Sequence, residues 1–275
     1  MKIYVMTDLE GVAGVLNFQE WTGPGTPYYE MAKEFLTLEV NAAADGLFEG
    51  GATQIVVMDG HGPGAINIKL LDPRVEFSRG WGDGPWPLCL DDSYDFLLFV
   101  GQHAKAGTPC AHLCHTQSLT YLDESINGLS IGEFGQLAMC ASELGVRTIF
   151  GSGDLAFTNE AQALVPGIET VAVKQGVKAG TGEEMTEEEY RRHTASARHL
   201  HPVRVRRLLR EGALRAIRRA QAEDFGLLPL APPFTRVVKL RPTKDRPHKV
   251  VSRMTHPTSV IAVLNMSGEW QPLDG

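Results

Sequence analysis

The chain has 275 residues, 43% of them hydrophobic, and a formal net charge of −7. This length suits one large domain or two unequal ones, and the negative charge argues against a nucleic-acid partner, whose phosphates need a basic face. No apolar run reaches the roughly 18 residues that span a bilayer, and the first residues lack the layout of a signal peptide. The four cysteines form no CxxC pair, which favours reduced thiols. We expect a cytoplasmic protein without a membrane partner.

The first candidate site follows the first predicted strand. Residues 1–7 are predicted to form a short strand, and Asp8 and Glu10 come directly after it, before Gly11. Because residues i and i+2 of a strand point to the same face, both carboxylates can converge on one point. Converging like charges repel unless a cation lies between them. These residues alone leave two interpretations open, a metal site or two acids that face solvent.

The next part of the chain alternates predicted helices and strands. Apolar residues at helical spacing predict the helices, and continuous β-branched runs are typical of strands buried on both faces. The strands are predicted at residues 54–58, 95–101, 147–154 and 170–174, and the helices at 29–49, 133–144 and 160–164. This alternation predicts an α/β fold with a mostly parallel sheet covered by helices.

The composition changes from about residue 176. Residues 186–222 are charged and predicted to be helical, with arginines between aliphatic residues and five glutamates at or before the start. A polybasic helix can bind an anionic partner, but the glutamates favour an ordinary amphipathic helix with a solvated face. Residues 236–240 and 259–264 are predicted strands of a smaller α+β region. We therefore divide the chain into an α/β metal-binding catalytic core, 1–175, and a smaller region, 176–275, expected to contribute to the pocket and to oligomer contacts.

Five side chains at the predicted strand ends and at one helix start form the candidate site. They are Asp8, Glu10, His61, His103 and Glu133. In open parallel sheets, ligands bind beyond the carboxyl ends of the strands. Three carboxylates with two imidazoles suit zinc first, and manganese, cobalt or iron after it, since calcium and magnesium prefer oxygen alone. Five ligands exceed one tetrahedral ion and suit two ions that share a bridging carboxylate, as in two-metal hydrolases.

Four further residues are candidates for other roles. His115 follows the cluster in sequence, and a free imidazole beside a metal site can act as general acid/base or nucleophile. His112 is its alternative, and for either of them a structural histidine is the simpler interpretation. Lys105 and Asn127 are candidates for binding the substrate, with a loop lysine and a turn former before Gly128 as the alternatives.

These motifs, in this order, resemble the zinc-dependent D-aminopeptidases of the DppA type, peptidase family M55. The resemblance covers about residues 1–175 and is carried by the segments 1–14, 59–61, 101–109, 115–116, 127–128 with 132–133, and 171–175. It implies that Asp8 bridges two zinc ions. Glu10 and His61 would complete the ligands of one ion, and His103 and Glu133 those of the other. His115 would be the catalytic residue, proposed as the nucleophile.

The resemblance also implies an assembly and an activity. Family members form homodecamers of two stacked five-membered rings with active sites facing an inner channel, and they release N-terminal residues from short peptides. We therefore expect a dizinc metallo-aminopeptidase that releases N-terminal, D-configured amino acids from short peptides or amino acid amides. Two alternatives remain open: a metal-dependent amidohydrolase acting on a small non-peptide amide, and a non-catalytic peptide-binding module of the same fold.

Overall fold

The structure is a computed structural model that describes residues 1–82 and 84–273. The strands are β1 (Lys2–Thr7), β2 (Gln54–Asp59), β3 (Glu76–Ser78), β4 (Phe96–Gln102), β5 (Tyr121–Ile126), β6 (Leu129–Ser130), β7 (Arg147–Asp154), β8 (Glu169–Gly176), β9 (Ala197–His199), β10 (Phe234–Leu240), β11 (Val250–His256) and β12 (Gln271–Pro272). The helices are α1 (Phe18–Trp21), α2 (Tyr29–Glu49), α3 (Glu133–Glu143), α4 (Leu155–Leu164), α5 (Glu187–His193), α6 (Pro202–Ala222) and α7 (Val260–Asn265).

A seven-stranded sheet with the order β3-β2-β1-β4-β7-β8-β9 forms the first layer. Its neighbouring strands are parallel except for the β8–β9 pair. Strand β4 is buried along its whole length, as expected where helices cover a parallel sheet. Two helix pairs, α2 with α6 and α3 with α4, pack against this sheet. The predicted α/β fold with a mostly parallel, helix-covered sheet is confirmed.

The second layer is an antiparallel five-stranded sheet with the order β12-β11-β10-β5-β6. Helix α7 packs against β10, β11 and α3, and so joins this sheet to the first layer. Strands β5 and β6 precede residue 176, whereas β9 and α6 follow it and belong to the first layer. Each layer therefore contains elements from both 1–175 and 176–275. The division of the chain into these two regions stays a prediction. Among the described residues, no helix has both the length and the apolar character needed to cross a bilayer.

Two predicted elements differ from the structure. The single helix expected at 186–222 is divided into α5, β9 and α6, because Thr186 begins α5 with a capping box and Pro202 begins α6 after the cap residue His201. The strand predicted at 259–264 is instead the helix α7, Val260–Asn265. Ser259 caps that helix by accepting a hydrogen bond from the Ala262 backbone N–H. A short apolar run does not by itself distinguish a strand from a buried helical turn.

The strand ends of the first sheet approach each other closely where the candidate site lies. Strand β1 lies between β2 and β4, so the loops that follow these three strands are neighbours. The Gly11 N–H donates to the Gly101 carbonyl at 2.7 Å. Gly101 has a φ of +79°, and a Cβ there would lie 2.1 Å from the Asp8 carbonyl oxygen. Glycine therefore lets the segment after β1 cross the end of β4.

Candidate metal centre

The structure brings the five predicted ligands together at one edge of the first sheet. Asp8 and Glu10 follow β1, His61 follows β2, His103 follows β4, and Glu133 is the first residue of α3. The four strand-end side chains are all buried. Ionisable groups are rarely buried unless they are paired or bind metal ions. The contacts within the group therefore decide what it can hold.

Asp8 lies at the centre of this group. Its Oδ1 atom is 3.3 Å from His61 Nδ1, and its Oδ2 atom is 3.1 Å from His103 Nε2. Glu10 Oε2 is 3.1 Å from the same nitrogen of His61. Glu133 Oε2 is 3.7 Å from the same nitrogen of His103. The five side chains thus form two sets, which have Asp8 in common.

Three histidines, His61, His103 and His115, each direct one ring nitrogen at these carboxylates. The other ring nitrogen contacts a backbone carbonyl: that of Thr22 at 2.8 Å, Ala104 at 2.9 Å and Leu113 at 3.0 Å, respectively. A carbonyl can only accept, so in the neutral ring that nitrogen carries the hydrogen, and the nitrogen facing the carboxylates has the lone pair that a metal ion needs. Histidines that bind metals are held in this way. Two buried atoms here, Glu10 Oε2 and His103 Nε2, have no hydrogen-bond partner among the described residues, so the donors fit divalent cations.

The charges of the cluster also favour a cation. Burial opposes ionisation of Asp8, but the neighbouring imidazoles of His103 and His61 hold its pKa well below the usual value. Burial likewise opposes protonation of His103, but Glu133 and Asp8 raise its pKa well above the usual value. Positive charge between the carboxylates therefore stabilises the cluster, and either protons or divalent ions can supply it.

The cluster opens into a cavity of about 300 Å³. Its polar lining consists of Gln117 and of Asp8, Glu10, His61, His115 and Glu133, and its apolar lining includes Met6, Trp81, Pro85, Trp86 and Leu88. A concave, mainly apolar site with a few converging polar groups is typical of small-ligand binding. The arrangement can hold metal ions at its base and an organic molecule above them.

Comparisons with known proteins agree with this geometry. The model of the Peptidase M55 family, described as D-aminopeptidase, matches residues 1–255. The chain belongs to this family. A D-aminopeptidase of Bacillus subtilis (strain 168) is 28% identical over 243 residues, which are 87% of this chain and 81% of that protein. The solved structure of the Zn-dependent D-aminopeptidase DppA from Bacillus subtilis, described as a self-compartmentalizing protease, has a TM-score of 0.82 at 22% identity, over 96% of this chain and 95% of that one.

Membership of the M55 family confirms the family that the sequence motifs indicated. It also confirms the prediction of a metal-dependent peptidase. The structural similarity extends over almost the whole of both chains and shows that they share a fold. The shared fold includes most of 176–275, which lies beyond the segments on which the sequence resemblance rests.

In this M55 chain, His115 lies beside the predicted ligands. Its ring stacks on that of His103 with centroids 4.0 Å apart, and its Nε2 atom is 3.9 Å from Glu133 Oε1. Burial and the neighbouring His103 lower the pKa of His115, which favours a neutral imidazole. Donor atoms of His103, His115 and Glu133 lie within 4.8 Å of one another. The position fits a base, a nucleophile or a further ligand, so the catalytic role of His115 stays a prediction.

The alternative histidine, His112, lies in different surroundings. Its Nε2–H donates to the Leu16 carbonyl at 3.1 Å, and its ring packs edge-on against His199 with centroids 5.2 Å apart. Burial lowers the pKa of His112 to about 2. These contacts give it a structural role beneath the loop that follows β1.

The two candidates for substrate binding lie apart from the metal cluster. Lys105 lines a separate cavity of about 570 Å³ together with Glu160. Asn127 lies in the turn between β5 and β6 with a φ of 50°. Its amide donates to the carbonyls of Ala231 at 2.9 Å and Pro233 at 3.1 Å and accepts from the Thr235 N–H at 2.7 Å. These contacts match a turn former, and substrate binding by either residue stays a prediction.

Sequence reasoning missed the side chains that hold the loop at residues 8–16. Lys174 Nζ donates to the carbonyl oxygens of Glu10, Val12 and Val15 at 2.5, 3.0 and 3.5 Å. Glu39 accepts from the Ala13 N–H at 3.1 Å, and His199 accepts from the Gly14 N–H at 3.1 Å. The signal in the sequence was a charged residue within an apolar pattern. Lys174 follows the apolar residues of β8, and Glu39 lies next to Val40 on the buried side of α2.

Proposed function

We propose that this chain is a dizinc aminopeptidase that releases N-terminal, D-configured amino acids from short peptides or amino acid amides. The observation that carries the proposal is the position of Asp8, whose two carboxylate oxygens face two different histidines. One carboxylate in this position can bridge two ions. The nitrogen and oxygen donors favour zinc, and other divalent transition metals bind the same donors. The similarity to a Zn-dependent D-aminopeptidase supports both the metal and the D configuration.

The residues present divide naturally between two ions. Asp8 would be shared, Glu10 and His61 would hold one ion, and His103 and Glu133 would hold the other. When bound, such ions lower the pKa of water and polarise a scissile carbonyl. Each histidine is fixed by its hydrogen bond to a backbone carbonyl, so the ligand positions are set before metal binds.

His115 supplies the acid–base or nucleophilic function in this proposal. Its Nδ1–H is held by the Leu113 carbonyl at 3.0 Å, so Nε2 is free to accept a proton. As a base, Nε2 takes the proton of the attacking group and later returns it to the departing amine. As a nucleophile, the same atom attacks the carbonyl directly and displaces the amine, which takes up a proton from water, and a water molecule then hydrolyses the acyl-imidazole to release the amino acid.

We also propose a cytoplasmic homo-oligomer of ten chains in two five-membered rings, with region 176–275 contributing to the pocket and to ring contacts. The similarity to a self-compartmentalizing protease supports assembly. Native mass spectrometry tests this proposal, since a decamer has ten times the 30.0 kDa mass of the chain. A stable monomer or dimer at micromolar concentration contradicts it.

A substrate panel with metal control tests the activity. Zinc-loaded protein is assayed on D- and L-aminoacyl amides, on dipeptides and on small non-peptide amides. We expect turnover of D-aminoacyl substrates that is lost on chelation and restored by zinc. Turnover of the non-peptide amides alone would favour an amidohydrolase. Tight peptide binding without turnover at full zinc occupancy would favour a binding module.

A further inference from the structure

One side of the metal-site cavity has no part in the chemistry proposed above. This side, which we call the tryptophan wall, consists of Met6, Trp81, Pro85, Trp86 and Leu88. Trp86 and Leu88 are only 9% and 6% exposed. Trp86 and Leu88 therefore belong to the packed interior around the cavity, whereas Trp81 is half-buried and Pro85 is exposed. The wall lines the same cavity of about 300 Å³ as the metal-binding residues.

Contacts from distant parts of the chain hold the tryptophan wall in place. Asn265 at the end of α7 accepts from the Trp86 N–H at 3.1 Å and donates to the Trp86 carbonyl at 2.9 Å. The Tyr4 hydroxyl of β1 donates to the Leu88 carbonyl. The backbones of Trp86 and Leu88 are thus each held by a side chain from another part of the chain. A wall that is fixed before substrate arrives discriminates better than one that must be ordered on binding.

The cavity offers no separate partner for a charged side chain. Every carboxylate in its described lining, those of Asp8, Glu10 and Glu133, belongs to the metal cluster, and that lining contains no lysine or arginine. Burial of a charged group without a partner is strongly unfavourable. Burial of an apolar group is favourable in proportion to the area removed from water. The lining therefore favours an uncharged, apolar side chain.

We propose that the tryptophan wall is the specificity site for the N-terminal residue of the substrate, and that it selects large apolar or aromatic side chains. The inference rests on the proposed aminopeptidase function, which places the free amino group of the substrate at the metal cluster. The side chain on the same α-carbon then lies next to the cluster and reaches the wall. Aromatic pairs are favourable beyond simple burial, so phenylalanine is preferred to alanine.

Aminoacyl amides test the inference directly. Their leaving group is ammonia, so any effect of side-chain size reports only on the N-terminal residue. Zinc-loaded protein is assayed on alanine, leucine and phenylalanine amides in both configurations. In the configuration that is turned over, we expect kcat/KM for phenylalanine amide to exceed that for alanine amide by at least about tenfold.

Variants locate that selectivity in the wall. Trp86→Ala should lower the phenylalanine-to-alanine ratio of kcat/KM at least about tenfold. Trp270→Ala removes a tryptophan that is 49% exposed and should leave the ratio unchanged. If Trp86→Ala does not fold, Leu88→Ala probes the same wall and should lower the ratio in the same direction. A ratio below one in the wild type, or a ratio that the wall variants do not change, overturns the inference.

A binding measurement separates this inference from the proposed function. Hydroxamates of alanine and phenylalanine carry a metal-binding group, and their Kd values for the zinc-loaded protein can be measured by calorimetry without turnover. We expect tighter binding of the phenylalanine compound, with the preference lost in Trp86→Ala. Absent turnover of every amide contradicts the proposed function, whereas equal Kd values for the two hydroxamates contradict only the tryptophan wall as a specificity site.

Discussion

At the scale of single residues, the account depends on the two oxygens of Asp8. Asp8→Asn removes the charge and one of the two oxygens, so both ions should bind more weakly, whereas Glu10→Gln should weaken mainly one. Loss of a residue that merely orients a metal ligand costs about 10–100-fold in affinity, so at least about 100-fold is expected for both ions in Asp8→Asn. Zinc titration by calorimetry measures the two sites. Equal losses of zinc affinity in Asp8→Asn and Glu10→Gln would contradict the assignment of Asp8 as the shared ligand and of Glu10 as a ligand of one ion.

His115 is expected to act on the substrate rather than on the metal. His115→Ala should keep close to two zinc ions per chain and lose at least about 100-fold in kcat. His248, an exposed histidine, supplies the control, and His248→Ala should change neither quantity. Metal analysis and kinetics on the same preparation measure both. If His115→Ala loses an ion as well as activity, His115 is a ligand and the assignment is wrong.

At the scale of elements, the loop at residues 8–16 is held by strands and helices that follow it in the chain. Lys174 of β8 is 4% exposed and donates to three carbonyls of this loop. Lys174→Met keeps the approximate length of the side chain but leaves these carbonyls without their donor. We expect a loss of about 3 kcal/mol in the free energy of unfolding, since each buried group left unpaired costs about 1–3 kcal/mol.

The same variant should also weaken zinc binding at the site that contains Glu10, because the Glu10 backbone is one of the released groups. Lys178→Met changes an exposed lysine four residues away and is the control. Urea unfolding and zinc titration give the two quantities. A Lys174→Met protein that is less stable but binds both ions normally would show that Lys174 supports the fold without positioning Glu10.

The crossing of the β1 loop over β4 requires glycine at position 101. Gly101→Ala places a Cβ 2.1 Å from the Asp8 carbonyl oxygen at a φ of +79°, and we expect a loss on the order of 3–5 kcal/mol. Gly145 has a similar φ, +78°, but a Cβ at that position would meet no atom within 4 Å beyond its chain neighbours. Gly145→Ala should therefore cost only about 1 kcal/mol from backbone strain. Urea unfolding measures both variants. Similar losses in their free energies of unfolding would contradict the role of the close approach between Gly101 and the Asp8 carbonyl.

The same elements show what the sequence could and could not predict. Asp8, His61 and His103 were predictable because each follows a strand of the parallel sheet, and the carboxyl ends of neighbouring parallel strands meet at one edge. Trp86 was not predictable as a residue of the cavity, because its segment has no periodic pattern and is positioned by Asn265, 179 residues away. Helix α7 was predicted as a strand because its short apolar run lacks a distinguishing period.

At the scale of the whole molecule, a chain of polar side chains connects the second sheet to the metal centre. Arg236 of β10 donates to Glu124 of β5 at 2.9 Å, and Glu124 accepts from Gln136 of α3 at 2.9 Å. Gln136 accepts from Gln117 at 2.9 Å, and the Gln117 N–H donates to Glu133 Oε1 at 2.7 Å. Strand β10 of the C-terminal region therefore supports a predicted metal ligand through these contacts.

The central claim is that one carboxylate, Asp8, joins two metal sites in each chain. Inductively coupled plasma mass spectrometry of the purified protein, with the protein concentration fixed by amino-acid analysis, tests it most directly. After dialysis against trace zinc, the account predicts two zinc ions per chain, and Asp8→Asn should retain less than one. A wild-type protein that binds one ion or none under these conditions would contradict the account.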